Sequence, residues 1–243
     1  MRKFYLAIVL CLFSMILLVR CNHSSSVEPE QTAGPCIDAD GHEYSTVKIG
    51  DQFWMAENLK VTHYRNGDAI AEIGDDSEWR TADSGALCSY ENNTGHDEIY
   101  GKLYNGFAVT DSRGIAPDGW HVPTDAEWKT LEVNLGMNIT SADSSGFRGL
   151  DEGGKLKSTD STYWQAPNAG ATDACGFRAL PGGVRSYADG QFFMMGQWAY
   201  FWTGTKTENA RMASRRLGYL TEQIVRADDF NKRYGLSVRC VQD

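Results

Sequence analysis

The clearest pattern of apolar and polar positions along this chain is helical. Trp128, Leu131 and Leu135 recur at three- and four-residue intervals, and Gly136 stops the run. Thr124 stands where a cap is needed, with Glu127 three residues on, which makes a capping box. Pro123 and Trp128 occupy the positions of a hydrophobic staple. The pattern predicts a helix entered at Thr124. Leu103, Tyr104, Phe107 and Ala108 predict a second, shorter helix that Gly106 weakens.

Elsewhere the pattern is that of strands and turns. Val47-Lys48-Ile49 and Phe53-Trp54-Met55 flank Gly50-Asp51, a two-residue connection suited to a type II′ hairpin. Asp40-Gly41 is a turn signal, and Pro181-Gly182-Gly183 another. Toward the C-terminus, Phe192-Phe193-Met194 and Tyr200-Phe201-Trp202 are strand-like and separated by a Gly196-Gln197 turn. Ile224–Ala227 and residues 236–241 follow. In the last run Leu236, Val238 and Cys240 share one face, which aims Cys240 at the core, while Ser237 and Arg239 share the other. Residues 62–98 and 140–190 are irregular and polar but carry aromatics. Glycine numbers 25 and aromatics reach 12 %, which favours a β-rich, loop-rich domain over a helix bundle.

The first residues change the picture. Met-Arg-Lys precedes an almost wholly apolar run from Phe4 to Val19, as in an export signal, and too short for an ordinary membrane span. Leu18-Val19-Arg20-Cys21 resembles a bacterial lipobox, although Arg20 departs from the small residue expected before the cysteine. The expectation is a lipoprotein signal peptide over residues 1–20 and acylation of Cys21. An ordinary signal peptide or an uncleaved anchor are the alternatives. Residues 21–35 are polar and Ser/Pro-containing and read as a flexible tether, so one folded domain is expected over 36–243. Each alternative implies an exported chain, and the lipoprotein reading places it at the outer membrane or cell surface, held by lipid. In that compartment Cys36, Cys88, Cys175 and Cys240 allow two disulfides; buried free thiols are the other reading.

Charge narrows the partners. The formal net charge is -9, and loss of Arg2, Lys3 and Arg20 with the signal makes the chain more acidic, which argues against nucleic acid. No phosphate-binding loop, dinucleotide fingerprint, HExxH or GxSxG is present, and the five histidines lack paired-ligand spacing. No catalytic residue, metal or cofactor is therefore assigned. Asp75, Asp76 and Glu78 form an acidic cluster without calcium-site spacing, better read as a solvated loop. His121 reads as structural, and Glu127 as a capping group. Trp79, Tyr90, Trp164, Tyr187 and Phe192 stand in polar, Gly-rich surroundings. They are the candidate ligand-binding residues, able to stack on sugar rings or dock a partner, unless they merely cover the core beneath long loops.

Several segments together carry a family resemblance. They are Asp38-Ala39-Asp40-Gly41, Val47 through Leu59, Tyr100-Gly101-Lys102-Leu103-Tyr104-Asn105, and Ala116 through Trp128. Gly176 through Gly183, Phe201-Trp202-Thr203-Gly204-Thr205 and Ser237-Val238-Arg239-Cys240-Val241 complete the set. The chain resembles the Fibrobacter succinogenes major paralogous domain family of exported bacterial proteins. That resemblance implies a relationship to C-type-lectin-like domains and formylglycine-generating enzymes: an α+β fold with two short helices, a twisted antiparallel sheet, long loops and adjacent ends. It also implies a Cys88–Cys240 disulfide, leaving Cys36 for Cys175. The function expected is a non-catalytic binding module for glycan or envelope protein. An enzyme using a cysteine pair, or a purely structural envelope protein, are the alternatives.

Overall fold

A computed structural model describes residues 32–207 and 211–243. The expected signal peptide, Cys21 and residues 22–31 of the tether lie outside the described residues. The folded unit runs from Ala33 to Asp243.

Strands β1 (Thr46–Ile49) and β2 (Gln52–Met55) form the expected hairpin. Gly50 sits at φ +61 while Asp51 is not left-handed, the sign pattern of a II′ turn. Next come β3 (Ala71–Glu72), α1 (Asp76–Thr81), β4 (Ala86–Cys88) and α2 (Asp97–Tyr100). The expected helix at 103–109 divides into β5 (Leu103–Asn105) and α3 (Gly106–Val109). Asn105 makes the division: its side chain accepts from the Ala108 backbone N–H and caps α3. The pair β6 (Trp120–His121) and α4 (Asp125–Asn134) follows. α4 begins at Thr124 with the complete capping box, and Gly136, at φ +112, lies beyond its end. The chain continues through α5 (Ile139–Asp143), β7 (Gly146–Arg148), α6 (Glu152–Leu156), β8 (Gly182–Arg185) and β9 (Phe192–Met195). It ends with β10 (Trp198–Lys206), β11 (Arg211–Gly218), β12 (Ile224–Asn231), β13 (Gly235–Leu236) and β14 (Val241–Gln242).

These strands build three sheets, ordered β1-β2-β14-β6, β10-β11-β12-β7 and β3-β4-β5-β13-β8-β9. Among the described strands, β3–β4 is the one parallel pair. The result is a mixed, mostly antiparallel α+β fold. Besides the division at Asn105, three points differ from expectation. There are six short α-helices among the described residues rather than two. Strands β9 and β10 flank the Gly196-Gln197 turn but join different sheets. Residues 236–241 are not one strand: β13 and β14 belong to separate sheets, and Ser237 and Arg239 are as buried as their neighbours.

The β10-β11-β12-β7 sheet has two faces of different chemistry. Register sets Phe201 beside Arg215 and Arg226, and Ala199 beside Leu217, Ile224 and Arg148. This face meets α4, whose Asp125 and Glu132 lie two turns apart on one side. Glu132 takes both Nη atoms of Arg148 (2.6 and 2.7 Å) and Nε of Arg215 (2.7 Å). Asp125 takes Arg215 (2.8 Å) and Arg226 (2.9 Å). Around these charges pack Trp54, Trp128, Phe177 and Phe201, edge to face at 4.9–6.0 Å for most pairs.

Burial raises the Asp125 carboxyl, but Arg226 and Arg215 outweigh it and hold the group at about 2, below its ordinary 3.8. A depressed carboxyl stabilises the fold above its unfolded value and loses that contribution as pH falls. Between pH 4 and 2 the wild-type unfolding free energy should therefore fall by about 2 kcal/mol through this group. Urea titrations of Asp125→Asn should lack that part of the slope; an unchanged slope refutes the assignment.

Candidate functional site

The other face of the same sheet is aromatic. Tyr200, Arg216, Val225 and Phe147 are register partners across four strands, so their side chains point one way. Trp198, two residues before Tyr200, joins them. A Cβ on its partner Gly218 would meet the indole at 2.8 Å, so glycine is what lets the ring lie flat on the sheet. Ring contacts then run without a break from Phe147 to Trp198 (6.3 Å), Tyr200 (6.2 Å), Phe230 (6.4 Å), Tyr234 (4.7 Å) and Tyr187 (4.8 Å). The strip is open at both ends, where Phe147 is 60 % and Tyr187 39 % exposed, while Tyr200 and Phe230 between them are buried in the core.

Arg216 sits in the middle of the strip. Its guanidinium lies over Phe230 (5.0 Å) and Tyr200 (6.0 Å). Among the described residues it forms no ion pair, and its buried Nε has no hydrogen-bond partner. It borders two adjoining hollows of about 240 and 330 Å³. One is walled by Val184, Phe193 and Met194; the other brings Asp229 and Asn231 beside Tyr187 and Tyr234. Stacking faces, one spare guanidinium, a carboxylate and an amide are the groups that hold a sugar ring by its apolar face and its hydroxyls.

A second concavity, of about 340 Å³, is polar. It lies where residues 56–60 are clasped between α2 and the C-terminal segment. Lys102 N–H donates to Leu59 O (3.0 Å), Leu59 N–H to Val238 O (2.8 Å), and Asn58 Nδ2 to Tyr100 O (2.8 Å). Gly101, at φ +69, permits this approach, since a Cβ would lie 2.6 Å from Leu59 O. Glu57, Glu98 and Asp160 face Lys60 and Arg178 across the opening, with Arg239 in the floor. Lys60 is tied to Glu98 at 2.6 Å.

The sequence candidates are divided by the fold. Trp79 is fully buried, its indole N–H donating to Arg233 O (2.8 Å). Tyr90 packs in the same cluster with Phe192, which is partly buried. Trp164 is 2 % exposed and donates to Ala179 O (2.9 Å). Trp79, Tyr90 and Trp164 thus cover or fill the core. Tyr187 alone of the five lies in the strip. Phe147, Trp198, Arg216 and Tyr234 were missed, although Trp198 and Tyr200 flank Ala199 in a visible period of two.

The acidic cluster is structural: Asp75 caps α1 through Glu78 N–H (2.9 Å), and Asp76 binds Arg185 (3.1 Å) and Gln191. His121 bridges Asp243 and Glu127, at 2.7 Å each. No grouping of three or more His, Cys, Asp or Glu suited to a metal occurs among the described residues. Cys36, Cys88 and Cys240 are buried and Cys175 is half-buried. Cys88 packs with Trp79 and Tyr90, Cys36 and Cys240 share another cluster, and Cys175 lies against a third. Burial pushes Cys36 and Cys88 up to about 12, and raises Cys175 and Cys240.

No curated protein and no solved structure matches the chain. The family model described as the Fibrobacter succinogenes major domain matches residues 47–242, which span both the aromatic strip and the polar cleft. The chain therefore belongs to the Fibrobacter succinogenes major domain family.

Proposed function

We propose that this protein is a non-catalytic glycan-binding module, exported and anchored by lipid on Cys21, with residues 22–35 as its tether. The observation that carries the proposal is the unbroken strip from Phe147 to Tyr187, with Arg216 at its centre forming no ion pair among the described residues. Sugar rings stack on Phe147, Trp198, Tyr234 and Tyr187, with the buried Tyr200 and Phe230 supporting them from beneath, and Arg216, Asp229 and Asn231 take hydroxyl or acidic groups. The fold we infer is C-type-lectin-like, supported by the adjacent ends of the folded unit, antiparallel sheets and long loops. A cysteine-dependent enzyme is disfavoured, because a reactive thiol needs a lowered pKa and all four are raised. A protein partner is the second reading, favoured by β9, which ends its sheet with Phe193 and Met194 each 43 % exposed.

A glycan array probed with the folded domain should give hits whose affinity falls at least about tenfold in Tyr234→Ala and Arg216→Ala, the loss of one stacked ring or one charged hydrogen bond. Tyr163→Ala, at the polar cleft, should bind like wild type. Loss in the cleft variant alone moves the site there; an array without hits, beside a positive pull-down of an envelope protein, selects the second reading. Metabolic acyl labelling should vanish in Cys21→Ala, and label that persists rejects the anchor.

A further inference from the structure

The first and last residues of the folded unit run side by side. Gly34 N–H donates to the Gln242 side chain (3.3 Å), and a Cβ on Gly34 would meet that amide at 2.9 Å. Pro35 O accepts from the Trp120 indole (2.9 Å), and Trp120 is the register partner of Gln242. Stepping two residues inward from Gly34 and from Gln242 reaches Cys36 and Cys240. Both are buried in one apolar cluster, 3 % and 0 % exposed. Each is fixed by its backbone: Cys36 O accepts from Tyr44 N (2.9 Å), and Cys240 O from Met55 N (3.0 Å). Cys36 also lies within electrostatic reach of Cys240 and, after burial, helps raise that thiol.

We propose that Cys36 and Cys240 form a disulfide that locks the two ends of the domain together, leaving Cys88 and Cys175 as thiols. Cys88 sits in a separate cluster beside Arg185, and Cys175 donates to Lys155 O (3.3 Å). The oxidant is a disulfide, of a small molecule or of an exchange protein. The thiolate of one cysteine attacks it and releases one thiol; the other cysteine then attacks the mixed disulfide and releases the second. Two protons and two electrons pass to the departing thiols. Burial leaves little thiolate in the finished fold, so the bond forms during folding. In the cell this rests on the export reading for its oxidising compartment; refolding in a glutathione redox buffer asks the question without it.

The test is peptide mapping by mass spectrometry after alkylation, without reduction, of the chain refolded in oxidised and reduced glutathione and of the chain recovered from export. A cross-linked peptide pair containing Cys36 and Cys240, with Cys88 and Cys175 alkylated, is expected in both. Alkylated Cys36 and Cys240 in the refolded chain, or either joined to another cysteine, overturns the proposal. A linked refolded chain beside an unlinked cellular one rejects export and leaves the pairing standing. Thermal melts add a second readout. Cys36→Ser, Cys240→Ser and the double variant should lose the same amount, on the order of 10 °C, for closure of so long a loop. Additive losses indicate two independent buried thiols and count against the bond.

Discussion

Glu132→Ala should lower the unfolding free energy by about 3–5 kcal/mol, the cost of leaving a buried charge without its partner. Glu132 and Arg215 are fully buried, and the Arg148 side chain is 2 % exposed. Arg215 keeps Asp125 after the change, but Arg148 keeps only Met137 Sδ at 3.1 Å. Its Nε already lacks a partner. Glu132→Gln, which keeps the shape and removes the charge, should also destabilise. Arg148→Met in the Glu132→Ala background should recover part of the loss, because the orphaned cation goes with it. Denaturant midpoints across the cycle decide the matter. A Glu132→Ala loss under about 1 kcal/mol shows that water or a shifted side chain replaces the carboxylate.

Arg239→Ala is the other large effect, about 3–5 kcal/mol, because it strips donors from several buried acceptors at once. The guanidinium is 1 % exposed and has no carboxylate partner among the described residues. It donates to Asn58 Oδ1 (2.8 Å), Arg178 O (2.9 Å) and Phe177 O, and lies over the rings of Phe177 (4.2 Å) and Phe201 (5.6 Å). Burial draws it down to about 9. Backbone oxygens and ring faces compensate a cation that no acid neutralises. The same contacts join the C-terminal segment, residues 55–58 and the Phe177 loop, which together frame the polar cleft. Lysine cannot reproduce the planar fork, so Arg239→Lys should recover only part of the loss. Amide exchange should rise in residues 55–60 and 177–180 in the alanine variant. A midpoint near wild type, or faster exchange confined elsewhere, removes this role.

Both effects concern charges that hydropathy treats as surface, and this explains what the sequence hid. The capped α4 helix and the Gly50-Asp51 hairpin were legible because their signals are local: a Thr–Glu spacing and a glycine at a turn. Strand β11 was not, since Arg211-Met-Ala-Ser-Arg-Arg-Leu reads as polar. Its buried Arg215 is tolerated only because Glu132 and Asp125 arrive from a helix some 80 residues earlier. The strip was half legible. Alternation in Trp198 and Tyr200 marks a two-sided strand, but Phe147 joins it only through sheet order and Tyr234 only through the turn after β12. Trp79 and Trp164 misled for the complementary reason. Each hides its indole N–H on a backbone carbonyl, and polar neighbours in the chain say nothing of that partner.

Gly34 beside Gln242 has a consequence for how such a unit travels between genes. A body that is entered and left at one point can be spliced into an exposed turn of a host protein, or repeated in tandem, without straining host or guest. Duplication of this module then costs its neighbours almost nothing in geometry.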